Sequence, residues 1–288
     1  MRALVLSGGA VKGAYQVGVL KRWMGDQGLD YDIMCGVSVG SLNVAGLALT
    51  PFGHPEVAIK FLEDFWLSKV NTAAIYKRWF PFGRLHALWL KSVFNSSPLI
   101  DLVKSNMHLE KIASNGRQLA VGAVCLDTGE ERYARETEPN FIDWVLASAS
   151  YPVFLNPIKI EGKWWSDGGI RHVTPLGQAI RMGATEIDVV MCSNFKNTDF
   201  DAENASAVPD LVVRMLDLMS AQIIRNDIEQ CGLKNELAEI NPKYKKVTVR
   251  VVMPENDLVK NSLEFDPADV RRMIDLGYHD ADLAVNWT

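Results

Sequence analysis

Ser38 stands between two glycines in Gly36-Val37-Ser38-Val39-Gly40, a setting in which a serine hydroxyl can act as a nucleophile. The pattern G-x-S-x-G alone arises by chance in about one chain of this length in ten, so its surroundings decide its weight. "YDIMC" (31–35) reads as a short buried strand, and "SLNVAGLAL" from Ser41 as an apolar helix. A serine on the tight turn between them has its hydroxyl pushed outward. Gly36 and Gly40 let that elbow bend, and the unpaired N–H groups at the start of the helix favour developing negative charge. The competing reading is a glycine-rich turn with an incidental serine.

A serine nucleophile needs a base. None of the five histidines stands out. His54 and His86 lie in an aromatic region, His108 reads as a helix-surface residue, and His172 falls just beyond "DGG". His279 suits the order nucleophile, acid, histidine, yet "LGYHDADL" reads as helix with His279 on its polar face. Asp167 ends a strand and is followed by Gly168 and Gly169, which permit a sharp exit. Placed within reach of the serine, a partly buried carboxylate could take the hydroxyl proton directly. A turn aspartate that caps its own loop remains the alternative.

The third requirement is a site for the oxyanion. "SGGAVKG" (7–13) lies between the first strand and the first helix, where backbone N–H groups can converge on an anion. A dinucleotide fingerprint would need a glycine where Ala10 stands, and no ribose-binding acid follows the next strand.

Three pieces in this order resemble the patatin-like phospholipase family: Gly8-Gly9-Ala10-Val11-Lys12-Gly13, Gly36-Val37-Ser38-Val39-Gly40 and Asp167-Gly168-Gly169. "ASASYPVFLNP" (147–157) and "TPLGQAIRMGA" (174–184) are also similar to segments of that family. The resemblance covers residues 3 to about 195. It implies Ser38 as nucleophile and Asp167 as base, a dyad without histidine, metal or cofactor. Gly8, Gly9 and Ala10 would supply the oxyanion N–H groups, with Lys12 and Gly13 supporting their loop. Ala10 departs from the family's third glycine, and alanine resists a positive φ. The implied activity is hydrolysis of fatty acyl esters of lipids. Alternatives are a short-chain carboxylesterase or thioesterase, and a catalytically silent lipid-binding regulatory protein.

The elements that must position these residues alternate between strand and helix. Strands are expected at 2–6, 31–35, in a hairpin over 119–134 and in two short runs ending at Asp167, then in "EIDVVMCSN" and "KKVTVRVVMP". Helices are expected at 14–24, with Val17, Leu20 and Met24 on one face, and at 54–70, 174–184 and from Pro209. A last one follows Asp266 as N-cap. This alternation predicts a three-layer α/β/α sandwich with a mostly parallel central sheet. Residues 1–288 are expected to form one domain, with 196–288 completing the fold and 196–208 as a mobile loop.

At 288 residues the chain can bury a substantial core, and its 48% hydrophobic and 23% charged residues are ordinary globular values. A formal net charge of −5 argues against a nucleic-acid surface. Four scattered cysteines without a C-x-x-C pair read as buried free thiols, which fits a reducing compartment. The apolar run at the N-terminus is too short for a secretory signal, so the expected location is cytoplasmic. Residues 61–94 interleave aromatics (Phe61, Phe65, Trp66, Tyr76, Trp79, Phe80, Phe82, Trp89, Phe94) with Lys69, Lys77, Arg78, Arg84 and Lys91. That mixture suits peripheral contact with a membrane or the entrance for an acyl chain; a helical cover packed on the core is the competing reading.

Overall fold

The structure is a computed structural model that describes residues 1–78, 91–194, 208–241 and 246–287. Its elements in chain order are β1 (Arg2–Leu6), α1 (Gly13–Leu20), β2 (Ile33–Val37), α2 (Val39–Leu47), α3 (Pro55–Lys69), α4 (Thr72–Ile75), α5 (Ser97–Asn106) and α6 (Leu109–Ser114). There follow β3 (Gln118–Cys125), β4 (Glu131–Arg135), α7 (Phe141–Ser148), β5 (Ile158–Ile160), β6 (Lys163–Asp167), α8 (Leu176–Arg181), β7 (Glu186–Val190), α9 (Val208–Ile240), β8 (Thr248–Val252), α10 (Pro267–Asp280) and β9 (Val285–Asn286).

The strands form one sheet in the order β5-β6-β3-β2-β1-β7-β8-β9, with β4 also paired to β3. β1, β2, β3, β7 and β8 run parallel. β4, β5, β6 and β9 pair antiparallel. Side chains alternate across this sheet because the strand period is two. Leu4, Leu6, Met34, Val121 and Ala123 face a core shared with α1, α2, α3, α5, α7 and α10. Ala3, Val5, Ile33, Cys35 and Ala120 face a second core under α8 and α9. This is the mostly parallel, helix-covered sheet that the alternation predicts.

One local expectation changes. α1 was expected to bury one face, but every residue from Gly13 to Leu20 is buried. α10 packs across its outer side, a long-range contact that a local periodicity cannot register. The helix then continues as a π-helical stretch, Lys21–Asp26. β6, one of the two short strands expected to end at Asp167, runs antiparallel to β3. It enters beyond the end of β3 and runs back along it, pairing Cys125 with Trp165 and Ala123 with Asp167. Asp266 caps α10 as expected, accepting from the Ala268 N–H at 2.7 Å. The loop expected at 196–208 falls outside the described residues up to 207, and Val208 opens α9.

Candidate active site

β3 sets the level of the two candidate catalytic residues. Val37, the last residue of β2, pairs with Gly122, and the next residue of β3, Ala123, pairs with Asp167. Ser38 follows Val37 directly, so register alone brings the serine and the carboxylate to the same level of the two strands that flank β3.

Ser38 occupies the turn itself, with φ 56° and ψ −128° just before α2. A positive φ in a non-glycine residue costs roughly 1–3 kcal/mol and persists only where the surroundings enforce it. Here its N–H donates to Ser148 Oγ at 3.0 Å, and its carbonyl accepts from Ser41 Oγ at 2.6 Å and from the Ser41 N–H at 2.9 Å. The flanking glycines are required by close approach. A Cβ on Gly36 would lie 2.4 Å from the Gly40 carbonyl oxygen, and one on Gly40 would lie 2.3 Å from that of Leu6.

Asp167 is buried at the end of β6. Its N–H donates to the Ser150 carbonyl at 3.2 Å, and its Oδ1 accepts from the Gly169 N–H at 2.8 Å. Oδ2 is buried and has no aligned hydrogen-bond partner. Burial pushes the carboxyl up to about 7, against the opposing pull of hydrogen bonding from the Ser38 hydroxyl and the Gly169 N–H. The serine is therefore near enough to favour the charged carboxylate while its hydroxyl is not yet aligned on Oδ2. Such loose pairing is common before substrate is bound.

The glycine-rich loop lies against this pair. A Cβ on Gly8 would sit 3.1 Å from Ser38 Cβ and 3.8 Å from its Oγ. Of the three N–H groups expected to hold an oxyanion, that of Gly8 donates to the Val173 carbonyl at 3.1 Å. Among the described residues, those of Gly9 and Ala10 donate to no protein acceptor. Ala10 adopts φ 50°, so the position that departs from the family's glycine does require a positive φ. Lys12 is buried, and its Nζ donates to Ser193 Oγ at 3.2 Å. Gly13 opens α1, and its carbonyl accepts from Asn43 Nδ2 at 3.1 Å.

Two tethers of this loop carry no signal in the sequence. Ser7 Oγ accepts from the Cys192 N–H at 2.9 Å, and the Ser7 carbonyl accepts from Gln16 Nε2 at 2.8 Å. Gln16 is held in turn by Asn43, and Asn43 by the indole N–H of Trp66, each at 2.8 Å. Ser148, which fixes Ser38, lay within the family-like segment 147–157, and that was its only signal in the sequence. Among the described residues, no histidine is hydrogen-bonded to Ser38 or Asp167. His172, nearest in sequence to Asp167, commits Nδ1 to Asp227 Oδ1 at 2.7 Å and turns Nε2 toward Glu131 Oε2 at 3.7 Å. His86 lies outside the described residues.

An apolar cavity reaches Ser38 and Ala10. Leu42 and Gly46 of α2, Phe61 and Phe65 of α3, Leu99 and Val103 of α5, and Tyr151, Leu155 and Phe265 form much of its wall. The aromatic stretch 61–94 thus turns largely inward where it is described. Trp66 is buried, and Tyr76 stacks on Phe94 at 4.2 Å. Phe61 is 37% exposed while still lining the cavity. Trp79, Phe80, Phe82, Arg84 and Trp89 lie outside the described residues. No described helix is long and apolar enough to cross a membrane.

A family model described as patatin-like phospholipase matches residues 4–180. The probable lipid hydrolase 463L of Invertebrate iridescent virus 6 is 23% identical over 278 residues, covering 86% of this chain and 90% of the viral protein. The uncharacterized protein YjjU of Escherichia coli (strain K12) is 26% identical over 194 residues, covering 65% of this chain. That match spans about half (51%) of the bacterial relative's own length. The crystal structure of VipD from Legionella pneumophila aligns with a TM-score of 0.48 at 14% identity, over 98% of this chain and 66% of that one.

Proposed function

The chain belongs to the patatin-like phospholipase family; from that premise we propose that it is a lipid hydrolase, a serine acyl hydrolase in which Ser38 attacks and Asp167 moves the proton. The observation that carries this reading is one juxtaposition. A buried carboxylate with an unanswered oxygen stands beside a strained serine, at a cavity whose lining is almost wholly apolar.

In the first half-reaction Asp167 accepts the hydroxyl proton as Ser38 Oγ bonds to the ester carbonyl carbon. The negative charge that develops on the carbonyl oxygen is met by the N–H groups of Gly9 and Ala10, and by the positive end of α2. Gly8 serves this loop through its bond to Val173 and is not itself a donor to the oxyanion. Collapse of the tetrahedral species expels the alcohol, which leaves with the proton from Asp167. Water then gives its proton to Asp167 and attacks the acyl-serine; the fatty acid departs, and Ser38 recovers its hydrogen. A carboxyl whose affinity for protons is matched to near-neutral pH suits both directions of transfer.

The cavity supports a long acyl chain over a short one, since fully burying a chain gains about 0.8 kcal/mol per methylene. The exposed Phe61 at the wall of the cavity supports contact of this side with a lipid surface. The four cysteines are free and buried, which supports a cytoplasmic setting. One observation favours the silent-binder alternative: Ala10 holds a strained φ within the loop that would have to act.

Labelling with a fluorophosphonate and reading intact mass tests the proposal. Wild type is expected to gain one adduct, and Ser38→Ala and Asp167→Asn to gain none. Folded wild type that stays unlabelled while its cavity takes up a fluorescent fatty acid would transfer the reading to the silent binder.

A further inference from the structure

The glycine-rich loop is braced from the far side of the sheet by a carboxylate that lies outside the matched region. Asp227 is on α9, in a stretch of chain well beyond residue 180. Its side chain is buried, and both of its oxygens are used. Oδ1 meets His172 Nδ1 at 2.7 Å, and Oδ2 accepts the Thr174 N–H at 3.3 Å. The residue between those two is Val173, whose carbonyl receives the Gly8 N–H at 3.1 Å. One carboxylate thus holds the chain on both sides of the carbonyl that receives the Gly8 N–H.

We infer that Asp227 is a positioning residue for acyl transfer: through His172 and Thr174 it fixes the Val173 carbonyl, and through that bond it fixes the Gly8–Ala10 peptides that face the oxyanion. The inference rests on the acyl-hydrolase reading of Ser38 and extends it to a residue of α9. Three features of the site give it force. Gly8 packs against the serine, so a shift of this peptide moves the two free N–H groups relative to the reacting carbon. Oxyanion donors act within a few tenths of an ångström, and a displacement of about 1 Å can cost on the order of 100-fold. The other tethers of the loop hold Ser7 (from Gln16 and Cys192), the Gly8 carbonyl (from Ser7 Oγ at 3.0 Å), Val11 (to the Ser262 carbonyl) and Lys12 (to Ser193), so the Gly8 N–H is fixed by Val173.

The role makes a kinetic distinction, because an interaction realised in the transition state appears in kcat and not in KM. The test measures kcat, KM and the rate of fluorophosphonate adduct formation, together with thermal stability, in wild type, Asp227→Ala, Asp227→Asn and Ile228→Ala. Ile228 is the next residue of α9, buried in the apolar core beneath it, and has no part in the brace. Asp227→Ala should lower kcat and the adduct rate by about 10- to 100-fold with KM within about twofold. Asp227→Asn should recover most of this, since its amide oxygen still accepts the Thr174 N–H and its NH2 can donate to neutral His172. Ile228→Ala should lose comparable thermal stability while keeping kcat. If Asp227→Ala and Ile228→Ala lose activity alike, if Asp227→Asn is no better than Asp227→Ala, or if the loss falls on KM alone, Asp227 has no positioning role. Failure of the underlying reading shows separately, as wild type that forms no Ser38 adduct, and the positioning role falls with it.

Discussion

Asp167 and Asp227 are both buried carboxylates, and desolvation raises both from the ordinary carboxylate value. They differ in how their oxygens are answered. Asp227 has a partner on each oxygen, His172 and the Thr174 N–H. Asp167 has the Gly169 N–H on one oxygen and no aligned partner on the other. A buried polar atom without a partner costs about 1–3 kcal/mol, so folds remove such atoms unless something is gained by keeping them. The fully answered carboxylate acts as scaffold. The half-answered one stands beside the serine that reaches an apolar cavity, with its proton affinity raised to where transfer is useful.

The comparison breaks most directly at turnover. Asp167→Asn should lower kcat for a lipid ester by about 10³-fold or more, and Ser38→Ala at least as much, because base and nucleophile are each lost outright. A steady-state assay in which Asp167→Asn keeps a tenth of the wild-type rate would remove the distinction between the two aspartates.

A second test uses pH. Only the ionised carboxylate can accept the serine proton, so kcat/KM should rise about tenfold per unit at low pH and level off above about 7. The rise should be absent from Asp167→Asn. A wild-type profile flat from acid to alkaline pH would show that the group is not the base.

Stability separates the two carboxylates by sign. The folded-state pKa of Asp167, about 7, lies above its ordinary value of 3.8. Its contribution is therefore fully present below the ordinary value and is lost as pH rises through the folded one. At pH 8 the ionised group weakens the fold. Asp167→Asn should then melt higher by roughly 2–4 °C for each kcal/mol relieved, with the gain fading toward pH 4. Asp227→Ala should destabilise by about 1–3 kcal/mol, since it strands His172 and the Thr174 N–H. Melting curves that move the same way in both variants would contradict the contrast.

The smallest effect tests the backbone in place of the carboxylates. Ala10→Gly should relieve the positive φ of this position and raise stability by about 1 kcal/mol. Adduct formation should stay within about twofold of wild type. A much faster adduct rate would mean that Ala10 restrains the loop as well as straining it.

Much of the site was legible in local sequence because its parts obey local rules. A serine on a strand-to-helix turn needs glycines where Gly36 and Gly40 stand, and an anion-binding turn after β1 needs small residues at Gly8 to Ala10. The brace from Asp227 had no such signal. Its aspartate lies 53 residues from Thr174 on a helix whose periodicity reports only which face is apolar. The occupied Gly8 N–H was hidden for the same reason, since its acceptor Val173 is a backbone carbonyl that any residue would supply.

The sequence by itself determined the alternation of strand and helix, the order of the three motifs and the two turns with their special backbone demands. All of these follow from side-chain period and from steric limits within a few residues. Only the tertiary structure decided that β6 runs antiparallel to β3 and so returns Asp167 to the level of Ser38. It also decided that α1 is enclosed on all sides, and that α5 and residues near Phe265 close an apolar cavity over the serine. Strand register and long-range packing are settled by which distant surfaces bury each other best, and that free energy belongs to pairs of segments rather than to either one alone.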